Sequence, residues 1–474
     1  MLFSSIEFIF YFLPIAVAGY YFLNRYPLQF LPGASSTKLW LLLCSLFFYG
    51  WWNPRYLPLL LGSILFNYGI ALLMQRAAAK EKQVQVNLFL GVGVVANIAL
   101  LAWFKYANFL VDNLNLLLAE DLLLAKVIFP LGISFFTIQQ IAFLMDSSDP
   151  DAGEQKNLLD YALFVTFFPH LLAGPILHHR EMMPQFHDIK PRFFNARHFA
   201  LGCFVFSVGL FKKVVIADSL APWVESGYAL KQIGFVDAWL LSLSYTFQLY
   251  FDFSGYVDMA IGAALLFNIK LPQNFNSPYR ATSLIRFWEC WHITLSRFIT
   301  AYIYTPLLRA FPGPITFYKS LLAIFIAMVM AGLWHGPAWC YVLFGAFHGA
   351  GLVINHLWRR LKITLPYALG WLLTFAFVNM SFVIFRSGSV EQAWQVISAL
   401  LAFGPTGLAP QLAADWRLPL ALVLLLGLCL GTKGSHSLAD RFRPDWRYGL
   451  GQLLLLLIPL FMMNRVIEFV YFQF

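Results

Sequence analysis

Runs of mostly apolar residues recur along this sequence, and many approach the roughly 20 residues that a helix needs to cross a lipid bilayer. Only 12% of the residues are charged, whereas soluble domains carry about 25%. Inside a bilayer the backbone must satisfy its own hydrogen bonds, which favours helices. The runs therefore predict an all-α, polytopic membrane protein with roughly 11–13 membrane helices plus broken or re-entrant segments. The candidate spans lie near residues 6–23, 39–52, 57–74, 86–104, 122–145, 199–216, 236–251, 319–334, 337–357, 366–385, 418–431 and 449–464.

One apolar region, 158–177, is interrupted by Pro169, Gly174 and Pro175. Irregular backbone is tolerated at membrane depth only where it is buried in protein or faces a water-filled cavity. We therefore predict a broken or re-entrant segment here.

The sequence shows no linker long enough to separate domains and no obvious internal repeat. Residues 1–474 are predicted to form one transmembrane domain, with N-terminal helices in 1–150, a core in 151–360 and C-terminal helices in 361–474. The first apolar run lacks a basic start and an obvious cleavage site, so we expect it to remain as the first span.

The net charge of +9 comes largely from short basic clusters between the apolar runs. Positive residues in short loops stay on the cytoplasmic side, so these clusters predict the cytoplasmic face and contact with membrane lipid. No nucleic-acid-binding motif accompanies them, and we expect no nucleic-acid partner. The clusters lie at 75–82, 178–198, 358–362 and 433–447.

Four polar islands interrupt the apolar runs, and three of them carry histidine. An ionisable group at membrane depth costs about 2–3 kcal/mol or more, which makes it a functional hypothesis. Histidine suits such a position because its neutral form is tolerated in an apolar site and still accepts a proton from a hydroxyl group. The islands are 167–176 with His170, 250–262 with Asp252 and Asp258, 271–298 with His292, and 331–351 with His335 and His348.

The stretch 332–339, GLWHGPAW, places His335 beside glycine and proline. Glycine lets a helix break and lets another backbone approach, so we predict a helix that ends around a proton acceptor. A lone membrane histidine also serves simply to hydrogen-bond a neighbouring helix, and the residues alone leave both interpretations open. His348 lies on the following predicted helix, where packing or support of another side chain is expected.

The other titratable residues form no recognisable catalytic or metal motif. Asp252 and Asp258 are six residues apart, which does not stack them on one helical face, and we expect them to cap or bind backbone. His178, His179 and His187 lie in a basic stretch where a solvated face is favoured over a metal site, so no metal is predicted. Sequence motifs of soluble hydrolases and ATPases are absent.

Taken together, the islands resemble the membrane-bound O-acyltransferase family, and in particular its bacterial alginate O-acetyltransferase branch. The stretches MLFSSIEFIFYFLPI, FFPHLLAGPI, DFSGYVDMAIG, LPQNFNSPY, FWECWHITLSRF and GLWHGPAWCYVLFGAFHG stand in the order that this branch shows, and the terminal YFQF also fits. The sequence departs from the branch at two points, and at one of them the segment YIYTPLLRAFPGP replaces a run like YIPLGGNR. The usual FW-R-R-WH pattern is replaced by FWECWH, which contains Glu289 and Cys290.

The resemblance implies a ring of membrane helices around a central cavity or tunnel. The essential histidine of the family corresponds to His335, and a second histidine near the reaction centre corresponds to His292. The resemblance also implies a multi-pass protein of the bacterial inner membrane that uses cytoplasmic acetyl-coenzyme A (acetyl-CoA) as donor and has no permanently bound cofactor. A separate periplasmic enzyme of the SGNH serine-hydrolase type would then acetylate an exported polysaccharide such as alginate.

Further residues are candidates for the substrate tunnel or for contact with the acyl donor. Two tryptophans are expected to wall the cavity and exclude water. Three arginines are expected to attract the phosphates of coenzyme A by charge, or equally to contact lipid headgroups. The full set is Trp334, Trp339, His170, Asn276, Ser277, Arg280, Arg286 and Arg297.

Other functions stay open from the sequence. The same chemistry would acetylate peptidoglycan or cellulose, and a carrier-protein thioester in place of coenzyme A would suit D-alanylation of teichoic acid. A polytopic transporter or export channel is an alternative from another class. Transporters commonly place broken helices at matching positions of repeated halves, and the interruptions near 170 and 335 have no obvious counterparts.

Overall fold

The computed structural model describes residues 1–28, 35–118, 127–149, 157–187, 193–402 and 411–463. These ranges consist of helices and connecting segments and contain no β-strand. The all-α fold class is therefore confirmed. Residues 122–126 of one predicted span, residues 188–192 of one basic cluster, residue 464 and the YFQF motif lie outside the described residues.

The helices follow one another with short connections. The first group is α1 (Leu13–Arg25), α2 (Ser35–Gly50), α3 (Leu57–Ala78), α4 (Gln83–Leu101), α5 (Ala107–Leu118), α6 (Ile133–Ser147), α7 (Leu158–Thr166), α8 (Phe168–Leu171), α9 (His179–His187), α10 (Ala196–Leu210) and α11 (Asp218–Tyr228). The second group is α12 (Phe235–Leu266), α13 (Leu284–Cys290), α14 (Ile293–Ile299), α15 (Thr305–Ala310), α16 (Phe317–His335), α17 (Trp339–Arg360), α18 (Tyr367–Arg386), α19 (Val390–Leu400), α20 (Arg417–Gly431), α21 (Ser435–Asp440) and α22 (Trp446–Met462). Several α-helices continue into π-helical turns, at Glu7–Phe12, Ala102–Tyr106, Phe211–Ala217 and Thr300–Tyr304, and short 3₁₀ turns lie at Pro54–Tyr56, Pro278–Arg280 and Leu412–Ala414.

Eight helical stretches within the described residues are long and apolar enough to cross a membrane, and they coincide with eight of the predicted spans. The other four predicted spans, 39–52, 122–145, 418–431 and 449–464, overlap α2, α6, α20 and α22, which are 15 to 17 residues long. The protein is therefore a multi-pass membrane protein. The eight stretches are Glu7–Arg25, Pro54–Ala78, Gln83–Leu118, Ala196–Tyr228, Phe235–Leu266, Phe317–His335, Trp339–Arg360 and Tyr367–Arg386.

The chain divides into two compact units. The first comprises Met1–Ser207 and Tyr256–Pro272, and the second comprises Val208–Gly255 and Gln273–Phe474. Helices α10 and α12 contribute residues to both units. The single-domain organisation with divisions at residues 150 and 360 stays a prediction.

A buried polar network joins four helices of the first unit. Asn97 on α4 donates to the Oδ1 atom of Asn67 on α3 at 2.6 Å, and Asn67 donates to the Oε1 atom of Gln140 on α6 at 3.0 Å. The hydroxyl of Tyr161 on α7 donates to the same Gln140 oxygen at 3.1 Å. Buried amides must find partners in an apolar interior, so this network fixes how the four helices align.

The predicted broken segment is confirmed in the first unit. Helix α7 ends at Thr166, α8 spans a single turn, and residues 172–178 are not helical. Every residue from 160 to 177 is buried. The irregular backbone is thus enclosed by protein, as its position in an apolar run requires.

Candidate active site

Helix α16 ends at His335, in the second unit. Gly336 has an extended backbone, and α17 begins at Trp339. Pro337 cannot donate a backbone hydrogen bond and disfavours helical backbone in the residue before it, so the segment Gly336–Pro337 ends α16. The His335 side chain remains interior, since the residue is only 5% exposed. The predicted break around a histidine is confirmed.

Glycines allow α16 and α17 to pack backbone against backbone next to this break. A Cβ atom on Gly332 would collide with the carbonyl oxygen of Tyr341, and one on Gly345 would collide with the carbonyl oxygen of Met328. A Cβ atom on Gly336 would collide with the Tyr341 ring. Small residues permit this close approach between membrane helices. The glycines of this island therefore build the hairpin that carries the histidine.

Substitution of Gly332 by Ala is expected to destabilise the hairpin, because backbone atoms of α17 must move to admit the methyl group. Overpacking of this kind costs about 1–3 kcal/mol. Gly427→Ala on α20 is the matched control, because its Cβ atom would meet nothing within 4 Å. The midpoint of heat-induced loss of the monodisperse peak, measured by size-exclusion chromatography in detergent, should fall for Gly332→Ala alone. Equal midpoints for the two variants would contradict the packing argument.

Aromatic rings surround the His335 imidazole. Ring centroids of Trp334, Phe385 and Phe344 lie 5.0, 5.2 and 5.9 Å from the His335 ring centroid. Such a surrounding limits access of bulk water to the ring and keeps the local dielectric constant low. Trp339, the other tryptophan expected to wall a cavity, is 55% exposed, so much of its surface faces away from the interior.

His292 lies at a second helix break, between α13 and α14. Its backbone is left-handed, with φ 44° and ψ 53°, and its side chain is buried at 1% exposure. The Nδ1 atom lies 3.2 Å from the Oδ1 atom of Asn274. The ring stands edge-on to Phe253 at a centroid distance of 4.8 Å. A non-glycine residue in this conformation is strained, and such strain persists where the surrounding structure enforces it.

Helix α18 brings the two histidine islands together within the second unit. Trp291, the neighbour of His292, packs on Phe382 at a centroid distance of 5.1 Å, and His335 packs on Phe385 at 5.2 Å. Residues three apart lie on the same face of a helix. The FWECWH and GLWHGPAW stretches therefore meet the same side of α18.

His348 has a structural role in the second unit. The indole Nε1–H of Trp288 donates to its Nδ1 atom at 3.2 Å, so the proton of the neutral ring lies on Nε2. That atom is 2.9 Å from the Oγ atom of Ser381, whose hydroxyl donates to the carbonyl oxygen of Val378 at 2.7 Å. Both ring nitrogens thus tie α17 to neighbouring elements, in agreement with the packing role expected from the sequence.

The three candidate arginines lie on the surface of the second unit. Arg280, Arg286 and Arg297 are all exposed. The guanidinium of Arg286 forms an ion pair with Glu289 at 2.9 Å, with both side chains 55% exposed. Glu289, which belongs to the FWECWH stretch that differs from the usual branch pattern, therefore offsets the charge of Arg286 one helical turn away.

Asn276 and Ser277 belong to the segment that precedes α13. The backbone N–H of Asn276 donates to the carbonyl oxygen of Cys290 at 2.9 Å, while its side chain is exposed. The Oγ atom of Ser277 accepts the backbone N–H of Gly434 at 3.0 Å. Both residues thus make contacts that hold the fold, and their roles toward a substrate stay predictions.

His170 lies in the first unit, on α8. The residue is completely buried, and its Nδ1 atom is 3.3 Å from the Nε2 atom of Gln139 on α6. The role of His170 in a substrate tunnel stays a prediction.

The histidines of the basic stretch 178–198 are also placed in the first unit. His179 pairs with Asp146 at 3.2 Å, and its side chain is 13% exposed, so the expectation of a solvated face is wrong for this residue. The side chain of His187 lies outside the described residues. Within the described ranges, no group of three or more histidine, cysteine, aspartate or glutamate side chains is arranged to hold a metal ion.

A buried ion-pair cluster in the second unit was not anticipated. The Nζ atom of Lys213 lies 2.7 Å from an oxygen of Asp218 and 2.7 Å from an oxygen of Asp252, with side-chain exposures of 4%, 12% and 1%. The available signal was Lys213 itself, a charged residue inside the predicted span 199–216. Asp252, its partner on α12, was instead expected to cap a helix or to hydrogen-bond backbone, and this expectation is wrong.

The fold and the site together define a class of protein, the multi-pass membrane proteins in which a buried histidine lies at a break between helices. The family model described as the membrane-bound O-acyltransferase family matches residues 62–390, and the chain belongs to this family. The resemblance found in the sequence is therefore confirmed, and the protein is an acyltransferase.

Relatives with named activities cover most of the chain. The chain is 44% identical to a peptidoglycan O-acetyltransferase from Helicobacter pylori, over 86% of this chain and 81% of the relative. It is 38% identical to a probable alginate O-acetylase from Pseudomonas putida, over 94% of this chain and 89% of the relative. A teichoic acid D-alanyltransferase from Streptococcus thermophilus is 30% identical, over 56% of this chain and 69% of the relative. The three names share acyl transfer to a cell-envelope polymer.

Proposed function

We propose that this protein takes acetyl from cytoplasmic acetyl-CoA and passes it across the bacterial inner membrane for O-acetylation of an exported polysaccharide such as alginate. The observation that carries the proposal is the position of His335, which is buried at the end of α16 in an acyltransferase of this family. The similarity to a probable alginate O-acetylase over 94% of the chain supports the polysaccharide as final acceptor.

In the proposed reaction His335 acts as general base. The imidazole takes the proton of an acceptor hydroxyl, the hydroxyl oxygen attacks the thioester carbonyl carbon, and the C–S bond breaks. The departing thiolate of coenzyme A then receives the proton from the imidazolium, so the histidine returns to its starting state. A positioned base contributes on the order of 100- to 10,000-fold in rate. The aromatic surroundings of His335 support the proposal because exclusion of water protects a thioester from hydrolysis.

Peptidoglycan is a second candidate for the acetylated polymer. The relative that is 44% identical to this chain is named as a peptidoglycan O-acetyltransferase. Both glycans present hydroxyl groups and require the same chemistry at His335. Acetate released by mild alkali from isolated peptidoglycan and from exported polysaccharide, compared between a strain with and a strain without this protein, separates the two candidates.

A periplasmic partner of the SGNH serine-hydrolase type completes the proposal. Neither the described ranges nor the intervening gaps, which are at most eight residues long, contain an inter-helix segment large enough for a glycan-binding domain. A second enzyme would therefore place the acetyl group on the polymer. This division of work predicts that the purified chain alone transfers acetyl to a small hydroxyl acceptor but not to the polymer.

The activity is tested with the purified protein in lipid vesicles supplied with radiolabelled acetyl-CoA. Release of coenzyme A together with labelled product supports the proposal. Activity only with a D-alanyl carrier-protein thioester would replace it with teichoic-acid-type D-alanylation. Movement of an undecorated glycan without any release of coenzyme A would replace it with an export function.

Removal of the Glu289 carboxylate is expected to improve use of acetyl-CoA, because Arg286 would then offer its full charge to the phosphates of the donor. An exposed ion pair is worth about 0.2–1 kcal/mol, which corresponds to a fall in KM for acetyl-CoA of about 1.4- to 5-fold. Glu289→Gln is compared with Glu225→Gln, which removes an exposed carboxylate on α11. Initial rates at several acetyl-CoA concentrations give KM. An unchanged KM in both variants would leave Arg286 as a headgroup contact.

A further inference from the structure

Asn274 connects the segment before α13 to the start of α14. The residue is completely buried. Its Oδ1 atom accepts the backbone N–H of Thr294 at 3.0 Å and the hydroxyl of Thr294 at 2.9 Å. Its backbone oxygen accepts the N–H of Ile293 at 3.0 Å. Asn274 thus satisfies two of the N-terminal backbone donors of α14, one through its side chain and one through its carbonyl oxygen, and such donors have no partner within their own helix.

The side-chain Oδ1 atom of Asn274 also determines which ring nitrogen of His292 carries the proton. The backbone N–H of Thr294 can only donate, so the atom of Asn274 that faces it must be the amide oxygen rather than the amide nitrogen. This oxygen lies 3.2 Å from the Nδ1 atom of His292. An amide oxygen can only accept, so Nδ1 must carry the proton. Burial lowers the pKa of His292 to about 3, which leaves Nε2 with its lone pair at neutral pH.

The amide orientation leaves the Nδ2 atom of Asn274 with no hydrogen-bond partner among the described residues. A buried donor of this kind costs about 1–3 kcal/mol. Rotation of the amide would cost more, because it would place the NH₂ group against the backbone N–H of Thr294, which can only donate and would lose its acceptor. The fold therefore favours the orientation that presents an oxygen to His292.

His348, in the same unit, is held in the opposite way. Trp288 donates to its Nδ1 atom, so Nε2 carries the proton and faces Ser381. Two buried histidines of the motif islands thus have different tautomers, each set by a neighbour that can only accept or only donate. A neutral histidine with its proton on Nδ1 has a lone pair on Nε2. Its Nε2 atom accepts a hydrogen bond from an O–H or N–H group and cannot donate one to a thioester carbonyl.

We propose that Asn274 is a positioning residue that holds His292 as the Nδ1–H tautomer, so that Nε2 of His292 accepts a hydrogen bond from a donor group of the substrates other than the hydroxyl that His335 deprotonates, and does not donate one to the carbonyl of the thioester. The inference rests on the proposed acyl transfer. Its chemical content is that the substrate group at His292 is a hydrogen-bond donor. Stabilisation of charge on the thioester oxygen then comes from a group other than His292.

The tautomer is tested directly by ¹⁵N nuclear magnetic resonance of the full-length protein with labelled histidine, where protonated and unprotonated ring nitrogens have well-separated shifts. The His292 signals are assigned by their loss in His292→Gln. We expect a protonated Nδ1 and an unprotonated Nε2 in the native protein. The reverse pattern would overturn the proposal. This measurement needs no activity, so it remains decisive even if acetyl-CoA proves not to be the donor.

Activity variants test the consequence. Asn274→Leu removes the acceptor and is expected to lower kcat on the order of 10- to 100-fold, the loss typical when the hydrogen-bond partner that orients a metal-bound histidine is removed, with little change in KM for acetyl-CoA. Asn274→Asp keeps an acceptor oxygen and is expected to restore most of kcat. Thr294→Val removes one hydrogen bond to the same oxygen without touching His292, and should retain kcat. If Asn274→Asp folds but is as inactive as Asn274→Leu, or if Asn274→Leu keeps full kcat, the positioning role is wrong.

Discussion

His335→Ala is expected to abolish acyl transfer, with a loss on the order of 100- to 10,000-fold, while the protein still reaches the membrane. The reason is chemical, because alanine cannot take the proton of an acceptor hydroxyl. The substitution leaves the helix intact, since His335 is the last residue of α16 and the break at Gly336 and Pro337 does not depend on the imidazole. Transfer of label from acetyl-CoA, measured at equal amounts of purified protein, gives the rate.

His436→Ala is the matched control for this experiment, because it removes an exposed histidine on α21. It should leave the transfer rate unchanged. A His335→Ala protein that is monodisperse and transfers acetyl at the native rate would end the catalytic assignment. A His335→Ala protein that is lost from the membrane would instead show that the ring is needed for packing against Phe385 and Phe344.

The features that could be predicted from the sequence depend on local chemistry. Proline and glycine act on their own backbone, so the end of α16 at His335 and the broken segment around Pro169 follow from a few adjacent residues. The apolar runs likewise predict spans without knowledge of neighbours. The apolar runs also located α2, α6, α20 and α22, although these helices are shorter than the roughly 20 residues that a membrane span needs.

The features that could not be predicted depend on which residues meet across long separations in sequence. By contrast, Glu289 and Arg286 are only one helical turn apart, so their ion pair could have been inferred from their spacing alone. The acceptor oxygen of Asn274 faces His292 only because the segment before α13 folds back along the start of α14. No periodicity reports that contact. The sequence therefore locates the second histidine but gives neither its tautomer nor the direction in which it binds.

The ion-pair cluster of Lys213 is the clearest case, because its partner on α12 is 39 residues away in the sequence. Lys213 lies in the π-helical turn Phe211–Ala217, and π-helical turns occur frequently at functional sites. In the interior of a membrane bundle a lysine requires a counter-ion. Two carboxylates, Asp218 and Asp252, share this one ammonium group.

Lys213→Met is expected to destabilise the second unit by about 3–5 kcal/mol, because it removes the ammonium group that both buried carboxylates contact. Asp252→Asn is the informative comparison, since it leaves Lys213 paired with Asp218 and brings the cluster to zero net charge. Its effect should be much smaller, the loss of one charge-assisted hydrogen bond. Heat-induced loss of the monodisperse protein in detergent ranks the variants. Equal losses of thermal stability in Lys213→Met and Asp252→Asn would show that the lysine does not act by balancing both carboxylates. A Lys213→Met protein as stable as the native one would show that the buried charges are compensated elsewhere.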